Sequence, residues 1–125
     1  MELNDLTYKI RGAIFTVHKE LGPGLLERAY ESALSYELME LGLKINVQLG
    51  MPVIYKGIEL DLGYKLDILV ENQVIIEIKS VEMLQNVHKK QLLSYLKISN
   101  KKLGFLVNFN VETLVDKQSL IRIIN

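Results

Sequence analysis

The chain has no cysteine, two histidines, two prolines and no net charge. Without cysteine, disulfides and thiolate metal centres are excluded, and two imidazoles argue against a zinc site. No apolar run reaches the roughly 20 residues that a membrane-spanning helix needs, and Met1-Glu2-Leu3-Asn4-Asp5 lacks the basic start of a signal peptide. The expectation is a cytoplasmic protein with no membrane partner. Because 15 basic residues balance 15 acidic ones, a polyanionic partner must be met by a local basic patch and not by the whole molecule. The 125 residues contain no repeat, linker or low-complexity segment, and this length suits one domain with a core of its own, spanning 1–125.

What is present begins with helices. Asn4 or Asp5 can cap a first helix, in which Leu6, Ile10, Ala13, Ile14, Val17 and Leu21 keep the three-and-four spacing of one buried face. Gly22-Pro23-Gly24 ends it. A second helix is expected from about Leu25 to Leu41, with Leu26, Ala29, Tyr30, Ala33, Leu34, Leu38 and Leu41 as its stripe and Gly42 as its stop. Glu27 lies in its first turn, where a carboxylate suits the helix dipole.

From Lys44 the period changes to two. Ile45, Val47 and Leu49 read as one strand, and Lys56-Gly57 as a tight hairpin turn after an irregularity at Gly50 and Pro52. Next comes Tyr64–Val81, two apolar strands joined at Glu71-Asn72-Gln73. If Val70 pairs with Val74, the same register sets Asp67 opposite Glu77, with Lys79 on the same face as Glu77. Two carboxylates so placed repel and lose solvation, so something must compensate. One answer is a cross-strand salt bridge to Lys79 on a solvated face. The other is a hard divalent cation such as magnesium, which prefers carboxylate oxygens and leaves positions open for a phosphate and an attacking water.

A third helix is expected over roughly Leu84–Ser99, with Leu84, Val87, Leu92, Tyr95 and Leu96 inward and Gln91 stacked on Tyr95 four residues on. Leu103–Phe109 reads as a central strand, and a turn at Asp116-Lys117 leads to a last strand through Leu120 and Ile124. A helix between two strands can form a crossover, so the sheet should be mixed. The fold class is α/β, in the order α-α-β-β-β-α-β-β.

Asp67, nine intervening residues and then Glu77-Ile78-Lys79 resemble the signature of the PD-(D/E)XK, or restriction-endonuclease-like, nuclease superfamily. The order of elements is similar to that superfamily's core. Gln91-Leu92-Leu93-Ser94-Tyr95 resembles the Q-x-x-x-Y motif of RecB-type members, and Gly24-Leu25-Leu26-Glu27-Arg28-Ala29-Tyr30 resembles the motif of the small GxxExxY family. The resemblance covers nearly the whole chain. It implies a mixed central sheet flanked by helices and a nuclease acting on nucleic acid, DNA ahead of RNA, with Mg2+ or Mn2+.

Carried onto matching positions, the resemblance makes Glu27, Asp67, Glu77 and the backbone carbonyl of Ile78 metal ligands. Lys79 would orient or deprotonate the attacking water, and Gln91 and Tyr95 would support the site or touch the nucleic-acid backbone. Lys89, Lys90, Lys97, Lys101 and Lys102 could line a phosphate path, or form a solvated face. His18 reads as a packing or hydrogen-bonding residue. Where relatives are expected to carry arginine two residues before the aspartate, Lys65 stands here, a weaker bidentate phosphate binder. The alternative function is a catalytically silent nucleic-acid- or protein-binding module with a nuclease fold. Exposed strand edges leave a homo-oligomer open.

Overall fold

In a computed structural model describing residues 1–125, two helices, α1 (Leu3–Leu21) and α2 (Glu27–Glu40), precede the sheet. Five strands follow: β1 (Ile45–Gly50), β2 (Val53–Tyr55), β3 (Ile58–Leu60), β4 (Lys65–Val70) and β5 (Val74–Lys79). Helix α3 (Asn86–Ser99) then leads to β6 (Leu103–Asn108) and β7 (Leu120–Ile124). The main sheet has the order β1-β4-β5-β6-β7, and β2 and β3 pair separately as a small hairpin. Only the β5–β6 pair is parallel, with α3 in the connection, so the sheet is mixed as expected.

The turn chemistry accounts for the register. Glu71 and Asn72 both take positive φ, and Val70 pairs with Val74, as the sequence suggests. Lys56 and Gly57 do the same in the β2–β3 hairpin, the pattern of a primed turn. The larger core packs α1 and α2 on one face of the sheet: Leu6, Ile10 and Ile14, then Tyr30, Leu34 and Leu38, against Ile68, Ile76, Ile78 and Phe105. A smaller core seals α3 to the other face through Leu92 and Leu96 against Leu69, Ile75 and Leu106.

Several boundaries differ from the sequence reading. Helix α1 starts at Leu3 and is preceded by Glu2, whose side chain makes no capping bond, while Asn4 lies inside the helix and accepts from Thr7. Helix α2 is shorter than its apolar stripe: Leu26 precedes it and is 82% exposed, and Leu41 follows it. Val87 is 64% exposed, because α3 meets the sheet one turn further on, at Leu92. The period-two reading of β1 fails at one rung. Ile45 packs into the larger core but Leu49, of the same parity, packs into the smaller one; on β4, Ile68 and Leu66 divide in the same way. Both strands change face at the level of Gln48 and Asp67.

Helix α3 comes closest to the sheet at Gly104. A Cβ built there would stand 2.9 Å from Leu92 Cδ1 and 3.2 Å from the Ile75 carbonyl oxygen. Gly104→Val is therefore expected to lower stability by about 1–3 kcal/mol through overpacking, measured as a drop in the urea midpoint with an unchanged slope. A neutral result would mean that α3 is not seated against β6.

Candidate active site

The β4–β5 backbone ladder runs from Val70↔Val74 to Ile68↔Ile76, and the next rung is Asp67 opposite Glu77. Here side chains replace backbone partners. The Asp67 N–H donates to Glu77 Oε2 at 2.8 Å, and the Ile78 N–H donates to Asp67 Oδ2 at 2.8 Å. The strands thus part at two interlocked carboxylates. Since the Ile78 N–H points into this fork, strand geometry turns its carbonyl to the same side; the next carbonyl, that of Lys79, accepts instead from Phe109.

Glu77 is only 4% exposed, and Asp67 is half-buried. Burial pushes the Glu77 carboxyl up to about 8, the charge of Asp67 adds to the shift, and the Asp67 N–H and the Lys79 ammonium oppose it. Asp67 is raised as well, chiefly by burial, against the lowering effect of its bonds from Ile78 and Gln48 and of Lys79. The solvated salt-bridge picture does not hold. Lys79 Nζ donates to Gln91 Oε1 at 3.1 Å, and the one ion pair in the structure is Arg11–Asp116, elsewhere.

The Gln91 amide relays this contact. Its Nε2 donates to the Tyr95 hydroxyl at 3.1 Å, so the amide oxygen must face Lys79. Tyr95 is held above its ordinary pKa, first by burial and then by the charge of Glu77, and stays protonated. Its ring centroid lies 6.2 Å from that of Tyr64, which leads into β4. The i,i+4 pair on α3 thereby reaches the fork from one face of the sheet.

Helix α2 reaches it from the other. Gly24 takes φ +103 and donates its N–H to Asn110 Oδ1, and the Tyr30 hydroxyl donates to the Gly22 carbonyl while accepting from the Leu25 N–H. Tyr30 is fully buried and stacks on Phe109 at 4.6 Å. This knot fixes the start of α2, where Glu27 Oε1 accepts from the Ser80 N–H at 3.4 Å, just beyond β5. Glu27 and Asp67 line one cavity of about 360 Å3 with Arg28, Glu31 and Gln48.

Glu31 and Gln48 escaped the sequence reading. Gln48 Nε2 lies 2.7 Å from Glu31 Oε2 and 3.2 Å from Asp67 Oδ1. Burial raises the Glu31 pKa, the Gln48 bond lowers it, and the charges of Asp67 and Glu27 raise it again. Glu31 could have been found, since it follows Glu27 by four residues and so shares its helix face.

Other expectations resolve away from the fork. His18 is buried and its Nε2–H donates to the Val111 carbonyl, a structural role. His88 Nδ1 accepts from the Gln85 N–H at the start of α3. Lys101 and Lys102 adjoin β6 beside Val74, at the closed end of the hairpin, where Lys101 bonds Asn72. Five strand steps, about 16 Å, separate that end from Lys79, so these two lysines do not border the fork. Lys89 and Lys90 stand exposed at its end of α3.

The donor set tests the fit of a cation. It is oxygen-only, and Glu77 Oε1 receives no hydrogen bond from the protein. No three carboxylate or imidazole groups converge into a closed shell. A hexahydrated cation such as magnesium keeps most of its waters and needs one or two carboxylates, so the Asp67–Glu77 pair fits it.

The family model of the PD-(D/E)XK nuclease superfamily matches residues 4–123. The chain belongs to that superfamily, and its five-stranded mixed sheet with flanking helices is consistent with a restriction-endonuclease-like fold. Neither the curated proteins nor the solved structures contain a match. No helix is long and apolar enough to cross a membrane.

A raised carboxyl pKa has a definite consequence for stability. The folded chain holds the Glu77 proton to about pH 8, whereas an unfolded glutamate releases it near pH 4.3. Stabilisation from the neutral acid is complete below the unfolded value and is lost as pH rises through about 8. In EDTA, the melting temperature should fall between pH 5 and pH 8, and Glu77→Gln should flatten this decline. An equally steep decline in Glu77→Gln would place its origin elsewhere.

Proposed function

We propose that this chain is a divalent-metal-dependent nuclease that hydrolyses phosphodiester bonds of DNA. The observation that carries this reading is the fork itself: two interlocked carboxylates, one nearly inaccessible, beside a lysine held by an amide and not by the carboxylates. Asp67, Glu77 and the Ile78 carbonyl would hold Mg2+ or Mn2+, with Glu27 lining the cavity that Asp67 borders. When bound, such an ion supplies Lewis acidity toward a phosphate oxygen and lowers the pKa of a coordinated water.

The rest falls to the chain's own groups. Lys79 spends one N–H on Gln91, and its other donors remain for the attacking water and the non-bridging phosphate oxygen. Gln91 and Tyr95 keep that ammonium in place. Attack of the water oxygen on phosphorus forms one P–O bond and breaks one P–O ester bond; the water gives up a proton to solvent, and the leaving oxygen takes one up. The reading extends to the GxxExxY branch and the Q-x-x-x-Y motif, supported by the work that Gly24, Glu27, Tyr30, Gln91 and Tyr95 each do in the structure. It includes one domain working in the cytoplasm, with the outer strands β1 and β7 available for pairing in a homo-oligomer.

Purified protein should cleave DNA in Mg2+ or Mn2+ and stop in EDTA. Lys79→Ala and Asp67→Asn should each lose at least about 100-fold in kcat while remaining folded. Single-stranded DNA, duplex DNA and RNA assayed side by side give the substrate; a preference for RNA would correct the DNA assignment. Salt-sensitive binding without turnover in any divalent metal would establish a silent binding module. Cleavage unchanged in both variants would show that a contaminant is responsible.

A further inference from the structure

Resting on the nuclease reading above, we propose that Gln48 is a positioning residue of the catalytic centre. Its left-handed backbone and its side-chain amide together aim the Asp67 carboxylate and bring Glu31 to the same cavity.

The backbone comes first. Gln48 takes φ +52 inside β1, a conformation that a non-glycine residue in a strand rarely adopts. The ladder pairs on either side, Val47↔Ile68 and Leu49↔Leu66, keep one register, so this is not an inserted residue or a slip. The chain leaves regular geometry for a single position, and that position is the one facing Asp67. The disturbance is also where Leu49 and Leu66 cross from one core to the other. Such strain persists where the surroundings demand it, and it gathers at functional sites.

Packing of the Gln48 side chain does not repay the strain, because that side chain is exposed. What it gains is polar. A primary amide has two N–H donors, and Gln48 Nε2 meets two carboxylates, Glu31 Oε2 at 2.7 Å and Asp67 Oδ1 at 3.2 Å. Asp67 is then fixed at both oxygens, by Ile78 N–H on one and Gln48 on the other. Glu31 has no other hydrogen-bond partner, so its place beside Asp67 depends on this amide. Residues that hold metal ligands in orientation in this way commonly contribute about 10- to 100-fold to metal affinity or activity.

Gln48→Gly separates positioning from folding, because glycine accepts the left-handed conformation without strain. Its unfolding midpoint should equal or exceed that of the wild type. Its kcat on DNA should fall about 10- to 100-fold, its KM should change by less than about threefold, and its Mn2+ affinity by calorimetry should weaken about 10- to 100-fold. Gln48→Asn also tolerates this backbone and keeps an amide one methylene short, so it should recover part of the loss. A folded Gln48→Gly with wild-type kcat and Mn2+ affinity overturns the inference. So does a loss confined to KM, which would make Gln48 a nucleic-acid contact. A wild type that neither binds Mn2+ nor cleaves overturns the nuclease reading and this inference together. If it binds Mn2+ without cleaving the DNA tested, the Mn2+ affinities alone decide.

Discussion

The structure turns on a rung of the sheet that is not made of backbone. Where β4 and β5 part, each of two carboxylates occupies the place of a ladder acceptor, Glu77 for the Asp67 N–H and Asp67 for the Ile78 N–H. This arrangement satisfies two donors that the diverging strands would otherwise leave unpaired, so the fork is stable as a hydrogen-bonded object. As an electrostatic object it is not. Two acids adjoin, one of them almost cut off from water, and Lys79, the cation that lowers the pKa of both, is bonded to an amide. The fold therefore sets hydrogen bonding against charge, and protonation of Glu77 or a bound cation resolves the conflict.

The remaining elements serve that rung from both faces. The α3 side supplies Lys79, Gln91, Tyr95 and Tyr64 as a chain of contacts, with Leu92 and Leu96 anchoring the helix to the sheet. The α2 side supplies Glu27 and Glu31, on a helix whose start is fixed by the Tyr30–Gly22–Leu25 knot, with the Glu31 carboxylate then held by Gln48. The β2–β3 hairpin enters the chain between Gly50 and Lys65, at the same end of the sheet. Helices and strands thus present Glu27, Glu31, Gln48, Asp67, Glu77, Lys79, Gln91 and Tyr95, while Tyr64 joins from the loop that leads into β4.

Much of this was legible in the sequence because it rests on local rules. The Glu71-Asn72-Gln73 turn and the period of two gave the Val70–Val74 register, and with it the meeting of Asp67 and Glu77. The spacing of four placed Gln91 on Tyr95. What escaped depends on single residues acting against the rules. Gln48 is no turn former, so nothing in the pattern announced a left-handed residue inside a strand, or that Ile45 and Leu49 would enter different cores. Asn4 and Asp5 look like caps, yet the helix begins before them. Lys101 and Lys102 follow Lys97 in sequence but lie at the closed end of the hairpin, a matter of topology that composition does not carry.

On the nuclease reading proposed above, one cation replaces one proton at the fork. Calorimetric titration of Mn2+ at pH 7, in two buffers of different ionisation enthalpy, tests it directly. With Glu77 raised to about 8, binding should release about one proton in the wild type and close to none in Glu77→Gln. Binding with no proton release, or equal release in both proteins, would contradict the account.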